Sequence, residues 1–218
     1  MKKLLLAVAV IAAAFLLASN SVQAATGIFG GYVTIGGTKY KSSSTYGGGE
    51  PTLGAASLGS FAIGGSLVLS AAETFTFQNS GHSTFAGALA YRVRLSTTPK
   101  STNPGDYTFQ DMGNGVDIGN GDEKFEFTGG TFNLLGGLAP VSPTTYSIDI
   151  VHKVGAFEGG SNFERLASIS NPNPGSTSWG AINAFTATYT VVPEPSTYAL
   201  LGLGAIAIFS YAVRRRKS

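Results

Sequence analysis

Through much of the middle of this chain, apolar and polar residues alternate one by one. Phe75 and Phe77 alternate with Thr74 and Thr76, and Phe125 and Phe127 flank Glu126. Tyr91, Val93 and Leu95 alternate with Arg92 and Arg94, and Tyr146, Ile148 and Ile150 with Ser147 and Asp149. Near the end, Phe185, Ala187, Tyr189 and Val191 oppose Thr186, Thr188 and Thr190. A period of two is that of a strand whose side chains point to two faces in turn, one buried and one wet. A shorter strand is expected around Tyr32 to Ile35, and two apolar pieces between Ser57 and Ser70 meet at Gly64-Gly65. Turn-forming clusters separate these runs at Gln78 to His82, Thr97 to Asp106, Gly113 to Asp122, Gly136 to Pro143, Gly159-Gly160 and Asn171 to Gly175. Lys39 to Thr52 reads as a Gly/Ser-rich loop, and Phe163 to Ile169 as one helical turn. Short strands with this punctuation predict an all-β domain, an antiparallel β-sandwich or jelly-roll-like fold.

The two ends break the pattern. Met1-Lys2-Lys3 is basic, Leu4 to Ala18 is continuously apolar, and Ser19 to Ala24 is small and polar. That order is a secretory signal peptide. Val22 and Ala24 stand three residues and one residue before the expected cut, which falls between Ala24 and Ala25. At the other end, Tyr198 to Val213 is apolar and uncharged, and Arg214, Arg215, Arg216 and Lys217 follow it. Sixteen residues span about 24 Å as a helix, short of the roughly 30 Å hydrocarbon core. Arginine stems that reach back to the headgroups make up the difference. Basic residues stay on the cytoplasmic side, so both ends orient the intervening chain outward. The expected organisation is a signal helix at 1–24, an exported β-sandwich at 25–191 and a tail at 192–218. The tail divides into a motif at 192–197, a transmembrane helix at 198–213 and a basic cytoplasmic end at 214–218.

The tail resembles the PEP-CTERM sorting signal. Val192, Pro193, Glu194, Pro195, Ser196 and Thr197 precede a short helix rich in Leu, Gly and Ala, and an arginine-rich end closes it. The resemblance covers Val192 to Ser218. It implies a Gram-negative bacterium that makes exopolysaccharide, and recognition by an exosortase, a membrane-embedded enzyme resembling a cysteine transpeptidase. The prolines fix their own φ and hold Val192 and Glu194 extended, so the motif is expected to be a stiff spacer that an enzyme can bind without first ordering it.

Charge narrows the function. The chain carries a formal +2, but the region from Ala25 to Val191 holds eight basic and eleven acidic residues, a net −3. The positive excess therefore belongs to the two ends, and the middle offers no basic patch for nucleic acid. There is no cysteine, which excludes disulfides, a thiol nucleophile and a cysteine zinc site. His82 lies in a Gly/Ser turn and His152 at a strand end, and neither has a partner in sequence. Glu73, Glu126, Glu158 and Glu164 are the carboxylates available for glycosidase chemistry, but no spacing pairs them. Between Asp111 and Glu123, Asp111, Asp117 and Asp122 stand among glycines. Such a loop suits Ca²⁺ and equally suits a plain turn. Tyr32, Tyr40, Tyr46, Tyr107 and Trp179 are candidates for stacking on sugar rings.

The expectation is a non-catalytic cell-surface or extracellular-matrix protein, associated with exopolysaccharide and needing no cofactor. Its partners are signal peptidase, the exosortase-like enzyme and, before processing, the inner membrane. A carbohydrate-binding module is the alternative, and a secreted polysaccharide-degrading enzyme the third reading.

Overall fold

The computed structural model of the protein describes residues 26–42, 48–78, 83–158, 161–168, 171–176, 178–179, 184–194 and 200–207. The expected signal peptide, with Ala24 and Ala25, lies outside the described residues, as do Pro195 to Thr197 and Arg214 to Lys217. The described strands are β1 (Thr26–Ile35), β2 (Thr38–Lys41), β3 (Ser57–Ala62), β4 (Val68–Gln78), β5 (Ser83–Leu95), β6 (Thr108–Gly113), β7 (Val116–Gly119), β8 (Asp122–Asn133), β9 (Thr144–Glu158), β10 (Ser161–Ser168), β11 (Asn171–Ser176) and β12 (Phe185–Val192). A 3-10 turn spans Pro104–Asp106, and a short helix covers 200–207.

The strands form two sheets. The first is antiparallel, in the order β2-β1-β4-β8-β7. The second is built on β9, the longest strand at 15 residues. One edge of β9 pairs along most of its length with β5, and β6 lies beyond β5. The other edge is shared end to end. β12 takes the half from Thr144 to Ile150, and β10 takes the half from His152 to Glu158. Antiparallel β11 extends the β10 branch, and parallel β3 extends the β12 branch.

The core lies between the sheets. Ile28, Val33, Ile35, Leu69, Ala72 and Phe125 come from the first sheet, and Leu89, Ile148, Ile150, Val154 and the apolar face of β12 from the second. β12 follows the expected alternation: Phe185, Ala187, Tyr189 and Val191 are buried, and the threonines and Val192 only half so. β8 also agrees, with Phe125 fully buried and Glu126 exposed.

Three of the runs read by alternation depart from one buried and one wet face. On β4 the period is right, but the threonines take the inner face. Thr74 and Thr76 are fully buried, while Phe75 and Phe77 are half-buried. Phe75 packs outside against Phe29 and Tyr32, at ring distances of 6.1 and 6.0 Å. On β5 and β9 the second face is also covered. Ala90, Val151, Tyr107, Leu166 and Ala184 form a smaller core there, with Trp179 packed on it. Ser147 and Asp149, expected in water, are therefore buried. The segment between β5 and β6 supplies part of this cover. Asn103 caps its 3-10 turn, and Lys100 Nζ donates to the carbonyl of Ala184 at 3.1 Å.

Several loop expectations are also corrected. Phe163 to Ile169 is not a helical turn, since Phe163 to Ser168 belong to β10. Asn171 to Gly175 is strand β11 rather than a turn. Thr38–Lys41 forms β2 at the start of the expected Gly/Ser loop, and Val116–Gly119 forms β7 within the expected turn. Among the described residues, no helix is long and apolar enough to cross a membrane.

Candidate functional site

The start of the sorting tail is built into the β-rich domain. Val191 is fully buried, and Val192 is the last residue of β12, paired in parallel with Ala62. The Ile63 amide donates to the Val192 carbonyl at 3.0 Å. Pro193 is buried and Glu194 exposed. The expected stiff spacer thus begins hydrogen-bonded to the domain at Val192, with Pro193 buried. Further on, Leu200, Leu201, Leu203 and Ile206 of the short helix are each about two-thirds exposed or more, an apolar surface without cover among the described residues.

A groove of about 580 Å³ opens on the outer side of the second sheet. Its aromatic lining is Phe85, Phe109 and Phe163, and its polar lining Asp111, Lys153 and Asn162. The three rings are 46%, 42% and 39% exposed, unusual for clustered phenylalanines. Lys153 Nζ sits over the Phe109 ring, 5.2 Å from its centre, and Trp179 meets the same ring edge-on at 5.9 Å. Gly155 lets Phe85 lie against β9, because a β-carbon there would fall 2.7 Å from the ring. Sequence reasoning missed Phe85, Phe109 and Phe163. The small-residue run Ala86-Gly87-Ala88, which lines the groove together with Gly155, is the sign that was available. The aromatics expected to face sugars behave otherwise. Tyr32 and Tyr107 are buried, Tyr40 and Trp179 are half-buried, and Tyr46 lies outside the described residues.

The densest chemistry is sealed inside. His152 is fully buried between the sheets, and not at a strand end as expected. Its Nε2 lies 2.6 Å from Ser42 Oγ and its Nδ1 2.8 Å from Thr74 Oγ1. Thr74 Oγ1 also points its hydroxyl at Met112 Sδ, 3.5 Å away. With the ring proton on Nδ1, Thr74 accepts from the ring and donates to the sulfur, and Ser42 donates to Nε2, so every group is satisfied. Burial pushes the imidazole down to about 4, so the ring is neutral at physiological pH. Ser42 is 1% exposed, so the pair resembles a serine nucleophile and base in composition but gives a substrate no access.

The remaining candidates form no metal or acid–base cluster among the described residues. Asp111 Oδ1 accepts from its own Gly113 amide at 2.8 Å, and Asp117 Oδ1 from Gly119 at 2.7 Å. Each closes a local turn, and Asp122 starts β8. Among the described residues, no group of three or more His, Asp or Glu is placed to hold a metal ion. Glu73 and Glu126 are cross-strand neighbours on β4 and β8, a juxtaposition that their spacing in sequence did not reveal. Both sit on the open outer face of the first sheet. Glu73 is held by Lys39 at 2.9 Å and Glu126 by Lys124 at 2.6 Å. His82 lies outside the described residues.

Residues 191–217 match the family model of the PEP-CTERM protein-sorting motif. No curated protein and no solved structure matches the chain. The matched region begins inside β12 and takes in the motif, the short helix and the basic cluster. This signal marks an exported protein and implies an exosortase-type processing partner. The chain is therefore identified by its end: a β-rich domain carrying a PEP-CTERM sorting motif.

Proposed function

We propose that this protein is a non-catalytic component of the cell surface or extracellular matrix, released from its inner-membrane precursor by the exosortase-type enzyme and associated with exopolysaccharide. The observation that carries this reading is the sorting motif joined without a linker to a closed sandwich. A domain whose buried histidine is inaccessible, and whose neighbouring carboxylates are each lysine-paired on an open face, favours display over catalysis. Terminal peptide mapping and intact mass, on membrane and extracellular fractions of the native host, test this. The expected extracellular species starts near Ala25 and ends near Pro195 to Thr197. A species that keeps Tyr198 to Ser218 and occurs only in the membrane would replace this reading with a tethered periplasmic module.

The groove favours a second reading, a carbohydrate-binding module. Exposed aromatic faces suit the C–H face of a sugar ring, and the adjacent carboxylate, ammonium and amide suit its hydroxyls. Affinity electrophoresis of the full chain through gels containing the host's exopolysaccharide should retard wild type more than Phe109→Ala. Equal mobility of the two would remove the groove from any such role.

A further inference from the structure

The hydrogen bonds at the end of β12 are asymmetric. Its pairing with β9 stops at Val191, opposite Thr144. Its pairing with β3 runs one residue further, to Val192 opposite Ala62, and the Ile63 amide then takes the Val192 carbonyl. Among the described strand pairings, Val192 is therefore held by β3 and not by β9. The holding element is the tight turn between β3 and β4, closed by the Gly65 amide donating to the Ala62 carbonyl at 3.0 Å. Gly64 occupies that turn with φ +79°, a left-handed conformation that glycine adopts without strain. The Glu194 carboxylate lies alongside: its Oε1 is 3.9 Å from where a β-carbon of Gly64 would stand. Pro193, the first proline of the motif, is buried in this arrangement, and Glu194 is not.

We propose that the folded sandwich withholds Pro193 from the processing enzyme: the β3–β4 turn latches Val192 and Pro193, and the motif is read only when this end of β12 has come away from β3. An enzyme that grips a Pro-Glu-Pro segment must surround it, and a proline packed on the domain cannot be surrounded. Release does not require unfolding, because the latch lies past the last residue paired with β9, and strand ends open at little cost. Processing thus depends on a local opening of the substrate as well as on the enzyme. The inference rests on exosortase-type processing for its consequence, and on geometry alone for the latch.

The two parts are tested separately. The chain has no cysteine, so a single one reports cleanly. In the full-length protein in detergent, Pro193→Cys should react with a maleimide at least about tenfold more slowly than Glu194→Cys. The difference should vanish in denaturant. Equal rates under native conditions would overturn the latch. In the native host, five Gly/Ser residues inserted between Val192 and Pro193 leave every strand intact and move the motif off the domain. Pulse-chase should show that variant processed about two- to twelvefold faster than wild type, the range set by opening a segment held by a single net hydrogen bond. Ile63→Pro, which deletes the donor to Val192, should act in the same direction. Unchanged or slower processing of the insertion variant would overturn the inference. If removing the exosortase-type enzyme leaves wild-type processing unchanged, the proposed function fails, while the labelling result still judges the latch.

Discussion

His152 shows how one side chain sets the fit between two sheets. The first sheet makes room for the ring with Gly31, where a β-carbon would stand 2.7–2.9 Å from three ring atoms. Gly31→Ala should cost about 1–3 kcal/mol, the range for overpacking a filled core, read as a lower urea midpoint. The ring also makes stability depend on acid. Its pKa falls from about 6.5 unfolded to about 4 folded, so the unfolded chain takes up the proton first. The stabilisation is complete above pH 6.5 and is lost as pH falls from there towards 4. At about 1.4 kcal/mol per unit, the loss is on the order of 3 kcal/mol. Urea titrations at pH 7 and pH 4.5 should show a smaller drop for His152→Gln than for wild type, and parallel drops would remove His152 as the cause. Thr74 stood within an alternating run, His152 at the end of another and Gly31 just before the first expected strand. Alternation tells which residues share a face, but not which residue lies opposite on another sheet, so their meeting was not legible.

At the scale of the strand, β5 and β9 show the limit of the alternation rule. Arg94 and Asp149 occupy polar positions of good period-two runs, yet their side chains are only 7% and 0% exposed. Arg94 Nε meets Asp149 Oδ2 at 2.6 Å and its Nη2 meets Oδ1 at 3.1 Å. Thr186 adds a hydroxyl donor to Oδ1 at 2.7 Å. Asp149→Ala leaves a buried guanidinium without its carboxylate, which costs about 3–5 kcal/mol. Thermal unfolding should expose the difference at once against Glu73→Gln, which breaks an ion pair with a lysine side chain 41% exposed and should cost under about 1 kcal/mol. The strand positions were legible because period two needs only local sequence. The covering of the second face was not, because it comes from residues near Tyr107 and Ala184, far away in sequence. β10 was misread as a helical turn because a short run with a single Leu-Ala pair carries little period of either kind.

At the scale of the molecule, the tail was the most legible part, because a linear signal depends on order and not on folding. Replacing both Pro193 and Pro195 by Ala should reduce tail processing and leave export intact, measured as precursor accumulating in the membrane fraction. In the proposed topology Arg214 to Lys217 are the positive-inside anchor, so deleting them should weaken membrane retention and orientation; unchanged fractionation would refute this. The groove was illegible, since it is assembled from β5, β6, β9 and β10. The parallel pairing of β3 with β12 bears on when this domain can fold. Thr188 hydrogen-bonds to Ala56, 132 residues earlier, and β12 supplies four buried side chains to the common core. Contacts of such separation form late, after the entropy of closing a long loop has been met. During synthesis, an incomplete chain lacks the strand that fills half of one edge of β9. A chain made only as far as β11 therefore cannot complete this core, which keeps it closer to the unfolded state that passage through a narrow membrane channel demands.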